Sequence, residues 1–111
     1  MTAENTPATA LQRGKWLKIA AYGDFFDIPR RLLLLDREFV FWLLVCPFDD
    51  DLDDYDDAFS VWHIGHDARD AKSCFESPDP NRAPVERILA ARFEFDKTLR
   101  QMLFVHAGLE R

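Results

Sequence analysis

Phe39-Val40-Phe41-Trp42-Leu43-Leu44-Val45-Cys46 is the stretch on which the fold turns. Aromatic and β-branched residues favour an extended chain, and successive side chains of a strand point to opposite faces. Phe39, Phe41, Leu43 and Val45 therefore share one face, and Val40, Trp42, Leu44 and Cys46 share the other. Neither face is polar. Such a strand needs cover on both sides, from a closed barrel, a sandwich, a packed helix or a partner subunit. As a helix the run is far too short to span a bilayer.

Upstream, Asp36-Arg37-Glu38 separates this strand from a second apolar run, residues 31–35. Short polar links between apolar runs indicate a hairpin, here without the customary Gly. Further back, residues 15–22 alternate as a first strand: Trp16, Lys18, Ala20 and Tyr22 oppose Leu17, Ile19 and Ala21. Gly23-Asp24 and Asp27-Ile28-Pro29 break it. Downstream, Pro47 removes a ladder donor and ends the central strand. Residues 58–64 resume the alternation, with Phe59, Val61 and His63 against Ser60, Trp62 and Ile64.

Residues 65–83 read as a polar connection with one helical turn around 68–74. Residues 84–96 fit two patterns. As a helix, Val85, Ile88, Leu89 and Phe93 share a face. As a strand, Val85, Leu89, Ala91, Phe93 and Phe95 do, interrupted only by Arg87, and this pattern accounts for more residues. Asp96-Lys97-Thr98 turns into a last strand, residues 99–106. The expected fold is mainly β: a single small domain of about six antiparallel strands, barrel-like or a sandwich, with one short helix. The domain is expected over residues 14–108, between a flexible N-terminal tail (1–13) and a C-terminal tail (109–111).

Composition supports a folded chain. Of 111 residues 48% are hydrophobic and ten are Phe, enough large apolar surface for a core. The net charge of −6 has a local origin: residues 49–57 hold seven Asp. Without them thirteen acids face fourteen Lys and Arg, and the remainder carries +1. The chain is a nearly neutral domain with an acidic segment. Residues 1–13 have no basic region followed by an apolar one, so no secretory signal is expected. Two cysteines, Cys46 and Cys74, make no disulfide framework. A soluble protein of the reducing cytoplasm is the simplest expectation.

The candidate site is the acidic segment, with Asp49, Asp50, Asp51, Asp53, Asp54, Tyr55, Asp56 and Asp57 as partner-binding residues. A calcium loop of the EF-hand type needs Gly at position 6 and a bidentate Glu at position 12. Counted from Asp49, those positions hold Asp54 and Ser60, so the motif fails. Clustered like charges repel one another, and a strong negative field speeds encounter with a basic surface. Tyr55 is the type of residue that anchors interfaces. The plain alternative is a solvated loop that aids solubility. An exposed acidic run lacks the shifted pKa that acid–base catalysis needs.

Other chemistry finds little support. His63, His66 and Cys74 lack the paired spacing of a zinc site, and Cys74 with His66 forms no recognised nucleophile–base signature. Arg30, Arg31, Arg87, Arg92 and Arg100 are spread along an acidic chain, which argues against nucleic acid. No Gly-rich phosphate loop is present. No catalytic residue, metal ligand, cofactor or membrane contact is assigned. The functional expectation is a non-enzymatic acidic binding protein that presents its Asp-rich loop to a basic protein partner. Bacterial immunity proteins, which neutralise nuclease toxins, are similar in size, charge and compartment, a likeness of class and not of motif. The alternative is a β-barrel that binds a small ligand or a divalent metal. A homodimer through the doubly apolar strand and Arg30-Arg31 is a further expectation.

Overall fold

The computed structural model describes residues 10–26, 28–79, 81–97 and 101–106. Its chain order is β1 (Trp16–Phe26), β2 (Ile28–Leu35), β3 (Phe41–Val45), β4 (Phe48–Asp49), β5 (Asp54–Tyr55), β6 (Ala58–Gly65), α1 (Ala68–Glu76), β7 (Glu86–Leu89), β8 (Phe93–Phe95) and β9 (Met102–Val105). Seven strands form one antiparallel sheet in the order β7-β6-β3-β2-β1-β9-β8, and β4 pairs with β5 alone. The fold is mainly β, as expected, with a curled sheet and, among the described residues, one α-helix.

The doubly apolar strand is covered on both sides. Toward the inside of the curl, Trp42 and Leu44 lie beside Leu32 and Leu34 of β2 and Val61 of β6 in one buried cluster. Leu17, Ile19, Phe59, Ile88, Phe93, Leu103 and Val105 complete that core. On the other face, Leu33 and Leu43 are also buried, and α1 packs across β2, β3 and β6. The helix starts because Asp67 caps it, accepting from the Arg69 and Asp70 amides at 2.9 and 3.3 Å. Its buried residue is Ala71, small enough to let the helix approach closely. A packed helix is thus the cover on one side and sheet curl on the other.

The β2–β3 hairpin forms without Gly because Asp36 builds its turn. One oxygen of the buried Asp36 carboxylate accepts the Glu38 and Val40 amides at 2.8 and 3.0 Å, and the other accepts Trp42 Nε1 at 2.9 Å. Phe39 takes the left-handed position, φ 64°, and its ring is 70% exposed. It therefore lies in the turn and outside the strand expected for residues 39–46.

Two bulges bend the sheet. Between Ile19 and Ala21 the pairing slips by one residue, so Ala20 is extra and the inward face changes parity. Tyr22, placed by simple alternation opposite Ile19, consequently packs against the same core. A second slip follows Phe41 on β3 against β6. Bulges increase local twist, and here the curl brings the two sheet edges together.

The strand expected over 84–96 is two strands on opposite edges of the sheet. A 3-10 turn, Ala90–Arg92, joins them. Ala90 N donates to Asp57 O at 2.8 Å beside β6, and Arg92 O accepts from His106 N at 2.9 Å beside β9. One short turn thus touches both edges, and Phe59 and Phe93 meet across the seam with ring centroids 5.0 Å apart. The seam is also strapped by residues 11–14. Leu11 is buried, its amide donates to Glu86 Oε2 at 2.7 Å, and Gly14 N donates to Val105 O at 2.8 Å. The expected tail therefore becomes packed structure at Leu11, because an apolar side chain and a paired backbone hold it. Residues 1–9 and 107–111 and the start of the expected last strand (99–100) lie outside the described residues.

Asp36→Ala leaves Trp42 Nε1 and two turn amides without their acceptor in a buried site. Urea denaturation is expected to show a loss of about 3 kcal/mol, with the native fold retained.

Candidate functional site

The acidic segment is a small hairpin inserted between β3 and β6. Within it Phe48 pairs with Tyr55 and Asp49 with Asp54. Asp49 closes the turn: its Oδ1 accepts Asp51 N at 2.9 Å and Leu52 N at 3.4 Å, and its carbonyl accepts Leu52 N at 3.2 Å. Asp53 then adopts φ 55°, a left-handed geometry that Asp tolerates better than most residues.

The stem is fixed to the domain at Tyr55. Its ring packs against the core cluster and lies edge-on to Phe48 at 5.2 Å. The buried Arg30 guanidinium sits 4.7 Å from the Tyr55 ring centre. Arg30 Nη1 also donates to Cys46 Sγ at 3.4 Å, and the Cys46 thiol donates to Asp56 O at 3.0 Å. Burial pushes the Cys46 thiol above its ordinary pKa, and the hydrogen bond from Arg30 opposes that only in part. At the base, Arg87 Nη2 binds Asp56 Oδ2 at 2.8 Å and lies 3.7 Å from Asp57 Oδ1. The Arg87 hydrogen bond, then the Asp57 amide, hold the Asp56 carboxyl below the usual carboxylate range.

The eight expected contact residues thus divide. Tyr55, Asp56 and Asp57 belong to the attachment of the hairpin. Asp49 shapes the turn. Asp50, Asp51, Asp53 and Asp54 are exposed, and among the described residues no ion pair joins them. Phe48 and Leu52 stand between them, 48% and 68% exposed. An open concavity of about 420 Å³ lies against Pro47, Phe48, Asp49, Asp50, Asp51 and Asp56. The carboxylates do not converge: among the described residues no group of three or more His, Cys, Asp or Glu is placed to hold a metal ion.

The other candidates are also separated. His63 lies edge-on to Trp42 at 5.0 Å. The His66 Nδ1 braces the hairpin turn through Phe39 O at 2.9 Å. Cys74 accepts from Arg82 Nη1 at 3.6 Å. The residues missed by sequence reading are Arg30 and Arg87, which anchor the hairpin. Their signal was faint: an Arg at the start of an apolar run and another on an otherwise apolar strand face.

Fold and site define a helix-covered, curled antiparallel sheet that carries a rigid-stemmed acidic hairpin. Compared with protein-family models, with curated proteins and with solved structures, the chain matches none. No helix among the described residues is long and apolar enough to cross a membrane.

Two outcomes follow. A carboxyl whose folded pKa is depressed adds stability above its unfolded pKa, and that stability is lost as pH falls through the folded value. Asp56→Asn should therefore lower the melting temperature at neutral pH, and the deficit should close as the pH falls below about 4. The buried, raised-pKa Cys46 should resist a thiol-labelling reagent in the native protein while the half-exposed Cys74 reacts. Labelling after denaturation should reach both thiols.

Proposed function

We propose that this chain is a non-enzymatic binding protein of the reducing cytoplasm, which docks its acidic hairpin onto a basic protein partner as an inhibitor or immunity protein would. The observation that carries the reading is the contrast between stem and tip. Tyr55, Arg30 and Asp56 hold the stem, while Asp50, Asp51, Asp53 and Asp54 face solvent around the exposed Leu52. A preorganised tip loses little conformational entropy on binding. Its negative field steers a basic surface into contact, and Phe48 and Leu52 supply the apolar anchors that close charge pairs need around them. Both cysteines are free thiols, in keeping with a reducing compartment.

The test separates charge from fold. The variant Asp50→Asn, Asp51→Asn, Asp53→Asn, Asp54→Asn leaves the stem contacts in place. Its melting temperature should stay equal to or above that of the parent, since it removes like-charge repulsion. Affinity capture from the cells that make the protein should yield a basic protein with the parent chain and lose it with this variant. Phe48→Ser with Leu52→Ser should weaken the same capture without changing its salt dependence. Capture of the same protein by the uncharged variant would sink the reading.

A further inference from the structure

A second surface lies at the seam where the sheet edges meet. A cavity of about 250 Å³ opens there, lined by Arg13 of the strap, Arg87, Ile88 and Leu89 of β7, Arg92 of the 3-10 turn, and His106 after β9. Three of these side chains are guanidinium groups, one is an imidazole, and none is a carboxylate. Carboxylates stand directly behind this lining: Glu86 on Arg13, Asp56 and Asp57 on Arg87, and Glu94 on His106. The lining residues are far apart in sequence and are gathered by the closure of the sheet.

We propose that this seam cavity binds a small organic phosphate, with the phosphoryl oxygens on the arginines and a short apolar body against Ile88 and Leu89. Arg is the side chain whose planar fork matches a phosphate oxygen pair. Arg13, Arg87 and His106 are held in position by contacts outside the cavity lining. Arg13 is gripped by Glu86, with Nη2 to Oε1 at 2.9 Å and Nη1 to Oε2 at 3.1 Å, and by Leu11 O at 2.7 Å. Arg87 is held through Nη2 by Asp56 at 2.8 Å. His106 Nε2 lies 3.2 Å from Glu94 Oε1, and the His106 amide donates to Arg92 O. A guanidinium carries five N–H donors, and the described contacts of Arg87 engage Nη2 alone, so donors remain for a ligand. The carboxylates orient the cationic side chains and offset their charge. This favours a compact anion that takes several hydrogen bonds at once over diffuse attraction of any polyanion. The volume suits a phosphate with a few carbons, just below the usual range for drug-sized ligands. Ile88 is buried at 4% exposure and forms the floor, whereas Leu89 is 46% exposed at the rim.

The probes are inorganic phosphate and n-propyl phosphate, titrated at constant ionic strength into the isotope-labelled full chain while backbone amide resonances are followed. Both should give saturable shifts confined to Ile88, Arg92, His106 and their neighbours, and propyl phosphate should bind at least threefold more tightly. Arg87→Gln and Arg92→Gln should each weaken binding about tenfold. If either disturbs the fold, His106→Gln replaces it, with a weakening of about threefold. Uniform, unsaturated shifts would overturn the proposal, as would unchanged affinity in a folded variant. Binding of a short oligonucleotide at this site with no response to propyl phosphate would overturn it in favour of a nucleic-acid contact. The phosphate titrations and the Arg92→Gln and His106→Gln variants touch neither the hairpin tip nor its Arg87–Asp56 anchor, so their result stands apart from that of the hairpin test.

Discussion

The structure depends on removing both faces of β3 from water. Each large apolar side chain buried contributes about 1.5–3 kcal/mol, and Trp42, Leu43 and Leu44 point alternately to opposite sides of one strand. Leaving either side wet would forfeit much of that gain. A flat sheet has no means of enclosing Trp42 and Leu44, so the sheet curls around them. Curling brings β7 and β8 together, and the turn Ala90–Arg92 becomes the corner between them. Closure leaves a seam, and Leu11 fills it. The opposite face has no such option, because the curl is convex there, and α1 is laid across Leu33 and Leu43 instead. Helix, corner and strap are thus answers to one requirement.

The acidic hairpin leaves the sheet where β3 ends, and its attachment solves a second problem. Arg30, at 9% exposure, is a buried cation, which is costly unless its charge and donors find partners. The Tyr55 ring face and the Cys46 sulfur supply two of them. Removing Tyr55 would therefore uncover a charge as well as free a loop. The arrangement makes the stem part of the core while the tip remains solvent-facing. Seven Asp in nine residues repel one another. The hairpin tolerates this because Asp49 is occupied by backbone amides and Asp56 by Arg87, and the remaining side chains fan outward.

Local periodicity made the inner sheet legible. Residues 31–35 and 39–46 are apolar runs and 58–64 alternates, and each is a strand within a few residues of its expected limits. The helix was expected only as one turn around 68–74 in a polar connection, and it spans Ala68–Glu76 behind the Asp67 cap. What periodicity could not show was any feature that depends on non-local closure. A bulge at Ala20 reverses facing without changing composition, so Tyr22 was assigned to the wrong side. Residues 86–95 read as one strand, but the inward parity switches at the corner: Ile88 is buried on β7 while Val85 and Leu89 are exposed, and Phe93 is buried on β8, so the single face expected for Val85, Leu89 and Phe93 does not exist. Leu11 was lost in a Thr- and Ala-containing stretch, since one buried side chain makes no period. At the site, composition identified the charge of residues 49–57. The pairing of Phe48 with Tyr55 rests on two residues per strand, too few for a pattern to register. The gathering of Arg13, Arg87 and Arg92 is likewise a product of topology.

Arg87 has a place in both surfaces. Its Nη2 grips Asp56 at the base of the hairpin, and its side chain lines the seam cavity. The same guanidinium thus neutralises part of the acidic segment and supplies part of the basic one. Its backbone is paired with Ser60 in the β6–β7 ladder, so it cannot shift far toward either. Charge on the two surfaces is consequently shared through a fixed point. An anion drawn to the cavity competes with Asp56 for the guanidinium, and protonating Asp56 leaves more of Arg87 to the cavity. The physical separation of the two surfaces lies at their far ends: Asp50 to Asp54 at the hairpin tip, and Arg13, Arg92 and His106 on the strap side of the seam. Substitutions at those ends read one surface at a time, whereas a change at Arg87 or Asp56 reads both.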